Sequence, residues 1–271
     1  MYNELKNKVA VVTGGGGVLC STISEALAKE GVRVAVVDLR EEAANAVAEK
    51  IRAAGGDATG FACNCLDKDS LIACREKILA KYGTIDILLN GAGGNHPDAT
   101  TDGKNKTFFD LTTDGFRKVF DLNLLGTMLP TQVFGEVIAE KKKGDIINIS
   151  SMSAYHPLTR TIAYSAAKGA ISNMTEWLAC YFNLEYSPDI RVNAIAPGFL
   201  LTNQNRYLLT DKETGEMTAR GHQVINRTPM GRYGDPQDLV GGVLFLLSDG
   251  AKFINGIVMP IDGAFNAYSG V

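Results

Sequence analysis

An α/β fold with a doubly wound parallel sheet, helices packed on both faces, is what this sequence predicts. Three observations carry the prediction. Short apolar runs such as Val9 to Val12, Val32 to Val37 and Ile85 to Leu89 alternate with stretches of helical periodicity along the whole chain. Strands separated by helices have to cross over, so they pair in parallel and are covered on both sides. The glycine cluster Gly14 to Gly17 stands where the first run gives way to the first helix. Such a turn suits the Rossmann-type version of the fold, in which ligands bind outside the carboxyl ends of the strands.

The elements follow in order. Val9 to Val12 is a strand, and a helical pattern then runs through Ile23, Ala26 and Leu27 to Gly31. Val32 to Val37 is a second strand ending in Asp38, and Glu41 to Ala54 is a helix stopped by Gly55-Gly56. Thr59 to Cys63 is strand-like, Ser70 to Tyr82 helical, and Ile85 to Leu89 a buried strand. One long helix is expected from Asp114 to Lys142, then a strand over 145–149, a helix over 162–186 and a strand from Ile190 to Ala196. Ile257 to Met259 closes the set. Two stretches interrupt the rhythm, Gly91 to Thr107 and Pro197 to Asp235. Loops this long inside a compact domain are usually functional, and the second, with helical pieces around 203–209 and 216–226, suits a substrate lid over about 197–235. The expectation is a single domain over residues 1–271.

Composition narrows the function classes. The chain has 271 residues, 45% apolar and 21% charged, with a formal net charge of −3. That is ordinary for a soluble enzyme and offers no basic footprint for nucleic acid. No segment reaches the roughly 20 apolar residues that span a bilayer, and the first residues carry no secretory h-region. The run Lys141-Lys142-Lys143 reads as a solvated helix end. Five cysteines (Cys20, Cys63, Cys65, Cys74 and Cys180) form no Cys-x-x-Cys pair and read mainly as small buried apolar residues. His96, His156 and His222 lack metal-ligand spacing. A reduced, cytoplasmic, metal-free protein is expected, with no membrane or nucleic-acid partner.

Two constellations point to chemistry. Glycines after the first strand let the backbone turn tightly and approach a pyrophosphate, which sits on the helix N-terminal N–H groups. No Lys-Ser/Thr follows at the spacing of a P-loop. Asp38 ends the second strand about twenty residues after the glycines. There a carboxylate accepts from adenosine ribose hydroxyls and repels a 2′-phosphate, so NAD(H) is favoured over NADP(H), with Arg40 softening the preference. The second constellation is Tyr164 and Lys168, four apart in a helix-forming stretch, with Ser151 just beyond the strand 145–149. Residues four apart share a helix face. An ammonium beside a phenol favours the phenolate and moves its pKa down from about 10. A serine hydroxyl can donate to a carbonyl oxygen.

Taken together, Thr13-Gly14, Asn90-Gly91-Ala92-Gly93, Asn123, Ser151, Tyr164 with Lys168, and Pro197-Gly198 resemble, in order and spacing, the short-chain dehydrogenase/reductase family along nearly the full chain. The resemblance implies Tyr164 as general acid/base, Ser151 as donor to the substrate oxygen, Lys168 on Tyr164 and the nicotinamide ribose, and Asn123 holding a relay water. For the cofactor it implies Gly14, Gly17, Val18 and Leu19 at the phosphates and Asp38 at the ribose. Asn64 would meet the adenine, Asn90 and Ala92 would line the cleft, and Pro197, Gly198, Leu200 and Thr202 would surround the nicotinamide. Family members are commonly tetramers, with the long helices over 114–142 and 162–186 packing across subunits. The chain departs from the family's glycine pattern at Val18 and Cys20, which puts the details of pyrophosphate contact in question.

Further local matches, among them Gly93-Gly94-Asn95-His96-Pro97, Thr228-Pro229-Met230-Gly231-Arg232 and the tail from Asp262 to Val271, resemble the branch that interconverts D-fructuronate and D-mannonate. A polyol acid calls for hydrogen bonds and a cation, and His96, Arg160, Asn203, Asn205 and Arg206 are the substrate candidates. Arg206 is preferred for the carboxylate because a guanidinium grips it bidentately. Alternatives are another ketone, such as 5-ketogluconate or a 3-oxoacyl ester, or a non-catalytic dinucleotide sensor. Retention of Ser151, Tyr164, Lys168 and Asn123 together speaks against the sensor.

Overall fold

Among the described residues, seven parallel strands form one sheet in the order β3-β2-β1-β4-β5-β6-β7. The computed structural model describes residues 2–202, 209–211 and 214–270. The strands are β1 Val9–Thr13, β2 Arg33–Asp38, β3 Asp57–Ala62, β4 Ile87–Asn90, β5 Gly144–Ile149, β6 Ile190–Pro197 and β7 Val258–Ile261. Among the described residues the α-helices are α1 Val18–Lys29, α2 Glu41–Ala53, α3 Lys68–Tyr82, α4 Thr113–Phe120, α5 Gly126–Lys141, α6 Ile162–Glu185, α7 Ala219–Asn226 and α8 Asp238–Leu247.

Alternation along the strands divides the core in two. Ala10 and Val12 of β1 face one side with Ile23 and Leu27 of α1, Ala44 and Ala48 of α2, and Leu239, Val243 and Leu246 of α8. Val9 and Val11 face the other, with Leu71 and Ile78 of α3, Phe134 and Ile138 of α5, and Phe182 of α6. Burying each large aliphatic side chain stabilises the fold by about 1.5–3 kcal/mol. Because β1 pairs with both β2 and β4, the strand order reverses between β1 and β4. That reversal opens a crevice at the carboxyl ends of the strands, which is where this architecture binds ligands.

The expected long helix is interrupted. Between α4 and α5, residues Asp121–Leu125 form a π-helical turn that buries Asn123. The Asn123 amide donates to the Val119 carbonyl at 2.8 Å, and Thr127 Oγ1 donates to the Asn123 carbonyl at 2.8 Å. Side chains thus take over part of the ladder that the widened turn gives up, and such turns often mark functional positions. A one-residue widening does not break the apolar period, so the sequence reads through it. Helix α8 is absent from the expected order because its run from Leu239 to Leu247 is apolar almost continuously and shows no helical period. Cys180 is exposed rather than buried, since it lies on the outer side of α6. The other four cysteines are buried. The expected helical piece over 203–209 falls largely outside the described residues.

Candidate active site

A cleft of about 460 Å³ runs over the carboxyl ends of β1, β4, β5 and β6. One end is the glycine turn. Gly14 takes the left-handed conformation with φ of 61°. A Cβ there would press within 2.9 Å of the Gly91 carbonyl and the Ala92 nitrogen. Gly17 is extended and caps α1, which begins at Val18. Val18 therefore needs only ordinary helical torsions. The N–H groups of Val18, Leu19 and Cys20 open the helix, where backbone donors lack an intrahelical partner and favour an anion.

Cys20 resolves the second departure from the glycine pattern. It is buried, and a Cβ on Gly91 would overlap its sulfur. The space that a glycine in α1 would leave is instead supplied by Gly91 on the facing loop. Burial pushes the Cys20 thiol up to about 12, so it stays protonated and inert. Thr13 Oγ1 fixes the same loop by accepting from Gly91 N at 3.1 Å.

Asp38 lines the cleft beside Arg40. Its Oδ2 accepts from Gly16 N and its Oδ1 from Arg40 N, both at 3.0 Å, so backbone donors hold the carboxylate rim of the cleft in place. The glycine cradle, the open helix end and this carboxylate together fit a dinucleotide.

At the other end the cleft is lined by Ser151, Tyr164 and Lys168. Ser151 follows β5 and its Oγ accepts from Ser153 N at 3.1 Å. Tyr164 and Lys168 lie one turn apart in α6, with Lys168 Nζ 5.6 Å from the centre of the phenol ring. Nζ donates to the Ile149 carbonyl at 2.7 Å. Burial lowers the Lys168 pKa to about 8. Burial also raises the Tyr164 pKa, and the Ser151 hydroxyl opposes that rise. This corrects the expectation that Lys168 would pull Tyr164 down in the free site. The ammonium stands over the ring, and the low-dielectric surroundings penalise both charges at once. Asn123 does not line the cleft but is buried behind this end: its Oδ1 accepts from Gly94 N at 3.3 Å and its Nδ2 donates to Gly94 O at 2.7 Å. A Cβ on Gly93 would come within 2.8 Å of Asn123 Oδ1 and 3.4 Å of Lys168 Nζ, so these three residues meet.

Ala92, Pro197, Gly198, Leu200 and Thr202 line the cleft. Asn90 and Asn64 do not. Asn90 is buried in the sheet and donates to Thr131 Oγ1 and Asn148 Oδ1, both at 2.9 Å. Asn64 turns its Oδ1 back to Leu66 N at 3.0 Å. His96 and Arg160 lie on the flanking loops outside the cleft wall. His96 Nδ1 accepts from Asp98 N at 3.2 Å. Asn203, Asn205 and Arg206 lie outside the described residues. Sequence reasoning passed over Met152, Leu158 and Phe199, which also line the cleft. They are single apolar residues in loops, and nothing in their spacing marks them.

Among the described residues no group of three or more His, Cys, Asp or Glu side chains could hold a metal ion. No described helix is long and apolar enough to cross a membrane.

Known proteins resemble this chain closely. An oxidoreductase of Haemophilus influenzae, named only as uncharacterized, is 48% identical over 99% of this chain and 96% of its own length. A Bacillus subtilis oxidoreductase, UxuB, also named as uncharacterized, is 47% identical over 100% of this chain and 99% of its own. A crystal structure of a Haemophilus influenzae protein with bound NAD, provisionally described as a D-mannonate oxidoreductase, superposes with a TM-score of 0.93 at 48% identity. It covers 98% of each chain. The sequence model of the short chain dehydrogenases matches residues 8–213, from the start of β1 through α6 and beyond. The chain therefore belongs to the short-chain dehydrogenases, oxidoreductases that act on alcohol and ketone groups.

Proposed function

We propose that the protein is an NAD(H)-dependent oxidoreductase interconverting D-fructuronate and D-mannonate. The observation that carries the reading is one continuous cleft, with the Gly14–Leu19 turn and Asp38 at one end and Ser151, Tyr164 and Lys168 at the other. The narrower substrate assignment is supported by local sequence matches and by the similar protein described provisionally as a D-mannonate oxidoreductase. Asp38 supports NAD(H) over NADP(H), because a 2′-phosphate would meet its carboxylate.

The cofactor, when bound, supplies or accepts a hydride at the substrate carbon. Everything else falls to the protein. Ser151 Oγ donates to the substrate oxygen, a fixed dipole aimed where negative charge develops. Tyr164 gives its phenolic proton to the oxygen as the ketone becomes an alcohol, and takes it back in the opposite direction. A phenol raised by burial suits the donor role, with the Ser151 hydroxyl opposing part of that rise. Asn123, fixed by Gly94 and the π turn, packs behind Gly93, which Lys168 also approaches, and there holds a relay water.

The test is NADH oxidation by the purified protein with D-fructuronate, run beside 5-ketogluconate and an acetoacetyl ester and repeated with NADPH. Turnover centred on D-fructuronate and NADH supports the proposal; preference for another ketone overturns the substrate assignment. Tyr164→Phe should cost roughly 10²–10⁴-fold in kcat, the usual size of a general-acid contribution, while NADH still quenches protein fluorescence. An active Tyr164→Phe variant would remove Tyr164 from the proton transfer.

A further inference from the structure

Arg160 and Arg220 come from distant parts of the chain and share one feature. Each is half-buried. Among the described residues, neither guanidinium meets a carboxylate within 4.0 Å or donates a side-chain hydrogen bond. Other cations of this chain find partners readily: Arg191 reaches Asp145 at 2.6 Å and Arg232 reaches Asp238 at 2.6 Å. Two unpaired guanidiniums partly withdrawn from water are costly in the free protein, and a bound anion would relieve both.

Their placement relates them to the catalytic end of the cleft. Arg160 stands four residues before Tyr164, between Leu158, which lines the cleft, and the start of α6. The Arg160 carbonyl accepts from Thr101 N at 3.0 Å, and its guanidinium lies over Gly103, about 3.5 Å from where a Cβ would stand. The long loop after β4 thereby holds the side chain at the rim. Arg220 is the second residue of α7, beside Gly221, where a Cβ would come within 2.8 Å of Tyr233 Oη, and Gly234, next to Tyr233, pairs with Leu200 of the cleft wall. Thr218 caps that helix through Gly221 N at 3.1 Å, and Thr218 N donates to the carbonyl of buried Leu209 at 3.0 Å. An anion meeting Arg220 also meets the positive end of the helix dipole. The two cations feel one another: after burial, Arg160 is the second cause that holds Arg220 below the usual arginine range.

We propose that Arg160 and Arg220 together form a clamp for the carboxylate of the substrate, one jaw on the rim of the catalytic helix and the other on the lid helix. The clamp rests on the sugar-acid reading above. D-Fructuronate separates its ketone from its carboxylate by a run of carbinol carbons, so a ketone at Ser151 and Tyr164 leaves the carboxylate at the rim. Guanidinium forks suit a carboxylate better than ammonium groups do, because both oxygens are met at once. Arg220 thus replaces Arg206 as the favoured carboxylate contact, with Arg160 beside it. The clamp makes the protein specific for acids over the matching neutral ketoses.

The experiment compares acid and neutral ketose in pairs, D-fructuronate with D-fructose and 5-ketogluconate with L-sorbose. The full-length protein is assayed with NADH beside its Arg160→Gln, Arg220→Gln, Arg220→Lys and Arg206→Gln variants. The wild-type protein should prefer the acid of the pair it turns over. Arg160→Gln and Arg220→Gln should each raise KM for that acid roughly ten- to hundred-fold, the scale of a lost charge-assisted hydrogen bond, with NADH binding and neutral ketose turnover unchanged. Arg220→Lys should recover part of the loss. If 5-ketogluconate is the preferred acid and the same variants lose it selectively, the substrate assignment falls and the clamp stands. If acid and neutral ketose suffer equally, or acid preference disappears only in Arg206→Gln, the clamp is wrong. Absence of any acid preference in the wild-type protein would overturn both.

Discussion

Burial holds the Lys168 ammonium near a pKa of about 8, below the 10.5 of a free lysine, while the ammonium donates to the Ile149 carbonyl. The unfolded chain keeps its proton up to the higher pKa, so between about 8 and 10.5 it binds more protons than the folded protein. Lys168 therefore opposes folding most below pH 8, and this opposition fades as pH rises through that window. Lys168→Met should lose turnover but gain stability at pH 7. Urea unfolding of both proteins at several pH values should show the gain shrinking between pH 8 and 10.5. A pH-independent difference would mean that Lys168 is not desolvated as described. The meeting of Ser151, Tyr164 and Lys168 on one cleft wall was legible in the sequence because it depends on local spacing. Arg220 was not, because the electrostatic influence of Arg160 on it joins positions sixty residues apart in sequence. Asn90 and Asn64 were placed at the cofactor by resemblance, yet the Asn90 amide donates within the sheet, the Asn64 oxygen accepts from Leu66 N, and neither residue lines the cleft.

At the scale of elements, α1 meets the loop after β4 through Cys20 and Gly91. Glycine content at the turn was legible; the exchange of a small residue from helix to loop was not, since it joins positions far apart in sequence. Gly91→Ala should destabilise the protein by about 1–3 kcal/mol, the usual cost of overpacking. Adding Cys20→Ala should restore part of it, and a double-mutant cycle of thermal unfolding measures the coupling. Strictly additive losses would place the strain at Thr13 O, which a Gly91 Cβ would approach to 2.9 Å. Most strand and helix positions followed from period and turn chemistry. The π turn at Asp121–Leu125 and the helix α8 did not, one because a local widening leaves the pattern intact and the other because a uniformly apolar run has no pattern to read.

For the molecule as a whole, α5 and α6 leave an apolar face uncovered. Trp177 is 59% exposed and stacks on Tyr181 at 4.7 Å, beside a groove that Met128, Met174 and Leu178 help to line. The tetramer implied by the family resemblance would cover it. Sedimentation should find an assembly larger than one chain, and Trp177→Glu should shift it toward smaller species; unchanged sedimentation would place the contact elsewhere. Beneath that face, hydrogen bonds cross the core. Thr127 and Thr131 donate to the carbonyls one turn behind them, Asn90 donates to Thr131 and Asn148, Asn148 donates to Thr175, and Thr175 donates to Ile171 O. Every donor in this thread has one assigned direction, so no amide can flip and no hydroxyl can rotate without breaking a neighbour. Threonine hydroxyl protons are usually lost to exchange with water. Those of Thr127, Thr131 and Thr175 should survive as separate proton resonances, making the rigidity of the scaffold beneath the cleft directly visible by magnetic resonance.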